Sequence, residues 1–129
     1  MGAQVFRTNA SGATMKVAFE SAHQEARYEY GFDSGTIAEK PGFKDFGKLP
    51  AGTNLRELCN LCIDATEVDY DGHQSLVPTN EAKAALAKLR TIVGSRTQEL
   101  VDTFDDKWGP AVGFTVDTNS FVFMGWAND

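Results

Sequence analysis

Glu99, Asp102 and Asp106 recur at spacings of three and seven, with Asp105 beside them. On a helix these positions share one face and make a negative stripe. They also sit where such a helix would end. Carboxylates there oppose the helix dipole, each by roughly a few tenths of a kcal/mol when exposed. Only Lys107 offsets them locally. A helix composed for stability alone would carry cations at this end, so the stripe reads as a docking face for a basic partner. The competing reading is that Arg90, Arg96 or Lys48 pairs with it inside the fold.

Three further groups carry chemical potential. Glu67, Asp69 and Asp71, followed by Gly72, match the first half of an EF-hand calcium loop, with oxygen ligands at alternate positions. The first ligand is Glu instead of Asp, and the twelfth position is Pro78 where a bidentate Glu belongs. A solvated acidic loop, and a second partner-binding cluster, is the reading adopted. Cys59-x-x-Cys62 could be a redox pair or half a zinc site, but only His23 and His73 could complete zinc, and neither has finger spacing. The pair falls inside a helical pattern, so two buried helical thiols are expected. Asp33-Ser34-Gly35-Thr36, preceded by Phe32, has the form of the aspartic-protease turn. That chemistry needs two carboxylates sharing a proton. A buried strand should precede the Asp, whereas here a polar helix does, and a plain turn explains the same residues. No nucleophile triad or phosphate loop is present, so no catalytic residue, cofactor or metal is assigned.

The elements that must position these residues follow from period and punctuation. The longest helical pattern runs from Thr79 to Trp108, with Ala82, Leu86, Leu89, Val93, Leu100 and Phe104 on its apolar face. Thr79 or Asn80 can cap it, Gly94-Ser95-Arg96 interrupts it, and Gly109-Pro110 stops it. A helix from Thr14 to Tyr30 puts Met15, Ala18, Phe19, Ala22, Ala26 and Tyr30 on one face and ends at Gly31. Another, capped by Thr53 or Asn54, turns Leu55, Leu58, Leu61, Cys62 and Ala65 inward. Short strands are expected at Gln4–Phe6, at Thr36–Lys40 and at Phe43–Phe46, the last two joined as a hairpin by Pro41-Gly42. Asp64–Gln74 reads as loop. Ala111–Val116 and Ser120–Trp126 form a C-terminal hairpin around Asp117-Thr118-Asn119. Trp108 and Trp126 are expected at core edges. The whole predicts one α+β domain over residues 1–129: an antiparallel sheet of about four or five strands with about three helices packed mainly on one face.

Composition limits the function classes. The 129 residues suit a single domain, and the formal charge is −6. Residues 1–50 balance their charges, so residues 51–129 hold the whole acidic excess. Such a surface argues against direct contact with nucleic acid or anionic lipid, both polyanions. No apolar run is long enough to span a membrane, and the N-terminus lacks the pattern of a secretory signal.

Three segments together carry a resemblance. They are Glu25-Ala26-Arg27-Tyr28-Glu29-Tyr30-Gly31; Gly35-Thr36-Ile37-Ala38-Glu39-Lys40 with Gly42-Phe43; and Asp106-Lys107-Trp108-Gly109-Pro110 with Phe123-Met124-Gly125-Trp126. In this order they resemble small proteins encoded by bacteriophages and prophages. The resemblance implies expression in the cytoplasm of a bacterial host and brings no activity or catalytic residues with it. By analogy, small acidic phage proteins block host defence, as anti-CRISPR and anti-restriction proteins that imitate DNA do.

The expectation is therefore a non-enzymatic acidic binding protein, a monomer or small homo-oligomer. It would dock Glu99, Asp102, Asp105 and Asp106, with Glu67, Asp69 and Asp71, on a basic surface of a host protein. The alternatives are a small virion or assembly protein joining through a hairpin edge, and a small-molecule sponge or small hydrolase using Asp33.

Overall fold

The computed structural model describes residues 2–31, 34–70, 72 and 75–128. Its helices begin where side-chain caps allow. The Val17 amide donates to Thr14 Oγ1 at 3.2 Å and opens α1 (Met15–Tyr30). Gly31, at φ 75°, ends it. The Glu57 amide donates to Asn54 Oδ1 at 3.0 Å and opens α2 (Leu55–Asp64). The Ala82 amide donates to Thr79 Oγ1 at 3.0 Å at the start of the longest helical stretch. That stretch runs from Asn80 to Asp105 as α3 (Asn80–Val93), a 3-10 turn (Gly94–Arg96) and α4 (Thr97–Asp105). Gly94 adopts φ 57°, so the rod bends there.

Four strands make the main sheet: β1 (Ala3–Ser11), β2 (Phe43–Lys48), β5 (Ala111–Asp117) and β6 (Ser120–Asn128), in the order β1-β6-β5-β2. The expected C-terminal hairpin is β5–β6, turned through Asn119 at φ 60°. β1 joins β6 antiparallel and is longer than Gln4–Phe6. Two further strands, β3 (Val68–Tyr70) and β4 (Leu76–Pro78), pair antiparallel as a separate ribbon.

Alternation along β5 and β6 separates two cores. Val112, Phe114, Val122 and Met124 face α2, α3 and α4, where Leu58, Cys62, Leu89, Leu100 and Phe104 are buried. Ala111, Phe121, Phe123 and Ala127 face α1, with Phe19, Ile37 and Phe6. Three helical segments thus cover one face and α1 covers the other. Gly113 has no Cβ to hold α1 away; a Cβ there would stand 2.9 Å from Met15 Sδ.

Four expectations are corrected. Thr36–Lys40 is no strand: Thr36 Oγ1 accepts the Ala38 amide at 3.2 Å and winds Ile37–Glu39 into a 3-10 turn. With no strand beside it, β2 forms no hairpin; it lies parallel to β5, from Phe43 opposite Ala111 to Lys48 opposite Thr115. Asp64–Gln74 is not all loop, because alternating Val68-Asp69-Tyr70 pairs with Leu76-Val77-Pro78. Trp108 lies outside α4 and is exposed, since Asp106 Oδ1 accepts the Trp108 amide at 3.0 Å and turns the chain.

Candidate functional site

The acidic stripe is not uniform. Glu99 lies between two cations of its own chain, Lys44 Nζ at 3.0 Å and Arg96 Nε at 2.9 Å. Hydrogen bonds from Arg96, and then from Lys44, hold its carboxyl at about 2. Asp102 Oδ1 accepts from Gln98 Nε2 at 2.8 Å. Asp106 is turned into its own loop, with Lys107 following it. Asp105 is exposed at the end of α4. Of the pairing partners weighed from sequence, Arg96 is the one found, joined by Lys44 from β2.

Glu67 and Asp69 are exposed on or beside β3, while Asp71 lies outside the described residues. Asp33 and His73 lie outside them as well. Ser34 Oγ and Thr36 Oγ1 are 2.8 Å apart in the turn that follows Asp33. Cys59 and Cys62 are buried free thiols on α2. Burial, reinforced by Cys59, pushes the Cys62 thiol up to about 12, so neither a ready thiolate nor a ligand pair is built there. His23 stands beside Phe19 on α1, 5.4 Å between ring centroids. Among the described residues, no three of His, Cys, Asp and Glu are grouped to hold a metal, and no helix is long and apolar enough to cross a membrane.

Lys40 is the buried charge. Its side chain is 1% exposed, and Nζ donates to the Asp106 carbonyl at 2.9 Å. Burial lowers its pKa to about 8, against a smaller opposing pull from Asp106. It ties the Ile37–Glu39 turn to the end of α4 and so fixes the turn's position.

That turn closes one end of a groove of about 680 Å³ between β1 and α1. Its floor is β1 from Gln4 to Ser11. Its wall is two rows of α1 at helical spacing, Ala22–Ala26–Tyr30 below and Ser21–Glu25–Glu29 above. β1 is an edge of the sheet. The Gly12 amide donates to the Asn119 carbonyl at 3.1 Å, one step beyond the Ser11–Ser120 pair. Antiparallel bonding alternates along a ladder, so even-numbered residues of β1 exchange hydrogen bonds with β6. The N–H and C=O groups of Val5, Arg7 and Asn9 then turn outward. The same alternation points the side chains of Gln4, Phe6, Thr8 and Ala10 toward α1 and that of Arg7 toward α2, where its charge acts on Cys59.

This groove was not singled out in the sequence. The strand expected there, Gln4–Phe6, is too short to suggest a free edge, against Ala3–Ser11 in the fold. The detectable signal was on α1, where Glu25 and Glu29 are like charges one turn apart. Neither a protein-family model nor a curated protein nor a solved structure matches this chain.

Proposed function

We propose that this protein is a non-enzymatic binding protein that takes an extended segment of a partner polypeptide as an added strand along β1. The observation that carries this reading is the nine-residue edge strand Ala3–Ser11, whose outward backbone groups border a groove walled by α1. Unpaired strand N–H and C=O groups are a template for another chain, and pockets beside the strand read alternate side chains. Groove and edge together supply affinity and selectivity without a reactive group. The exposed carboxylates Asp102, Asp105, Glu67 and Asp69 act at longer range, steering a basic partner toward the protein. With the resemblance to phage-encoded proteins, the partner would be a defence or nucleic-acid-binding protein of a bacterial host.

Asn9→Pro tests the reading. It removes one outward N–H and leaves the β6 ladder whole, a position where an edge strand tolerates proline. The native protein should retain a host partner that the variant releases, and the Val5, Arg7 and Asn9 amides should become protected from hydrogen exchange when that partner binds. A variant that retains the same partner, with those amides still exchanging freely, removes strand addition as the mode.

A further inference from the structure

Resting on strand addition at β1, we infer that the groove selects a segment with basic side chains at alternate positions, those facing α1. The upper row of the wall is Ser21, Glu25 and Glu29, all exposed. Glu25 and Glu29 are i,i+4 neighbours of like charge, a pairing that destabilises a helix. Glu29 also lies in the last turn of α1, where the dipole disfavours anions. Among the described residues, neither has an ion-pair partner. Glu99, by contrast, is bracketed by two cations of its own chain.

In an added strand, residues alternate in facing as those of β1 do, so every second side chain points under this row. A Lys or Arg there reaches Glu25 or Glu29 while its stem lies along Ala22 and Ala26. The intervening side chains project toward the Arg7 side and are best small and uncharged. A second copy of this chain fits poorly as occupant. A twofold pairing through β1 sets one α1 against the other and brings the two acidic rows together.

The test uses acetylated nine-residue peptides with Thr or Val at alternate positions and Lys, Ser or Glu between them. Fluorescence anisotropy at low salt reads their binding to the native protein, to Glu25→Gln/Glu29→Gln, to Glu25→Lys/Glu29→Lys and to Asn9→Pro. The native protein should bind the Lys series about tenfold more tightly than the Glu series, a preference that fades as salt screens it. The Gln variant should bind both alike, and the Lys variant should reverse the order. Both glutamates are exposed, so unchanged helical circular dichroism is expected and separates lost preference from lost fold. Equal binding of Lys and Glu series by the native protein, lost in Asn9→Pro, overturns the charge selection and leaves strand addition standing. Binding unchanged in Asn9→Pro, or absent for every series, overturns both. A native dimer that Asn9→Pro dissolves in light scattering makes the occupant a second copy and overturns the inference.

Discussion

The strand at one side of the main sheet, β2, is six residues long and bulged between Asp45 and Lys48. Gly47 in the bulge adopts φ 94°. Arg96 covers this side: Nη1 donates to the Asp45 carbonyl at 2.7 Å, and the guanidinium lies 4.3 Å from the centre of the Phe46 ring. Lys44 and Glu99 add an ion pair across it. The strand at the other side, β1, is nine residues long, keeps an unbroken register with β6, and carries one charge, Arg7. Short length, bulges and charges are the means by which proteins blunt a strand edge against association. This chain applies all three to β2 and almost none to β1. One sheet thus has a closed side and an open one, and the open side is the one beside a groove.

The largest test of that contrast is within β1 itself. Thr8→Pro removes an N–H bonded to β6 and presses the ring on that strand; it should lower unfolding free energy by about 3 kcal/mol. Asn9→Pro, one residue on, should cost under about 1 kcal/mol. Urea denaturation of both variants reads the difference. Equal losses would show that the outward residues are not the odd-numbered ones, and the open side would lose its definition.

Each side also has its anchoring cation, one buried and one exposed. Lys40 holds the turn at the end of the groove. Its folded pKa of about 8 lies below its ordinary 10.5. Between these values the unfolded chain holds a proton that the folded chain has shed, so stability should rise as pH goes from 8 to 10.5. Lys40→Met should flatten that rise in denaturation midpoints taken across the window. A rise that persists belongs to some other group.

Arg96 anchors the closed side. Arg96→Ala removes its bonds to Asp45 and Glu99 and its contact with Phe46, and should lower the denaturation midpoint modestly. Its more telling effect is on association. With the cover gone, β2 should begin to pair between molecules, seen as a concentration-dependent rise in scattered mass that the native protein lacks. A variant that stays as dispersed as the native protein would mean that shortness and the bulge suffice to close this side.

These two sides differ in how far the sequence discloses them. Thr14, Asn54, Thr79 and Gly31 mark their helices through contacts a few residues apart, so the helices were readable. The β5–β6 hairpin is equally local. The parallel match of Phe43 with Ala111 is not, because nothing in either segment names the other. Thr36 had the composition of a strand, and its own hydroxyl won the backbone for a turn. Strand order decides which strands are edges, so the groove was hidden, although the Glu25 and Glu29 pair on its wall was visible. The acidic helix end was misleading for the same reason in reverse: Glu99 looked unmatched until the fold brought Lys44 to it from β2.

The smallest expected effect concerns that meeting. Arg96 and Lys44 hold the Glu99 carboxyl at about 2, below its ordinary 4.5. A depressed carboxyl contributes stability in full above 4.5 and loses it as pH falls toward 2, since the unfolded chain takes up the proton first. Glu99 is solvent-accessible and its pairs are screened, so the contribution is modest and should shrink further in high salt. Glu99→Gln should therefore differ from the native protein above pH 4.5 and converge with it toward pH 2. Thermal midpoints across that range, at low and high salt, read both trends. If Arg96 closes β2 through the Asp45 carbonyl and Phe46, Glu99→Gln should leave the protein as dispersed as before even where it is less stable. Association in this variant would instead make the ion pair itself the cover, and the two sides of the sheet would then differ by charge more than by strand geometry.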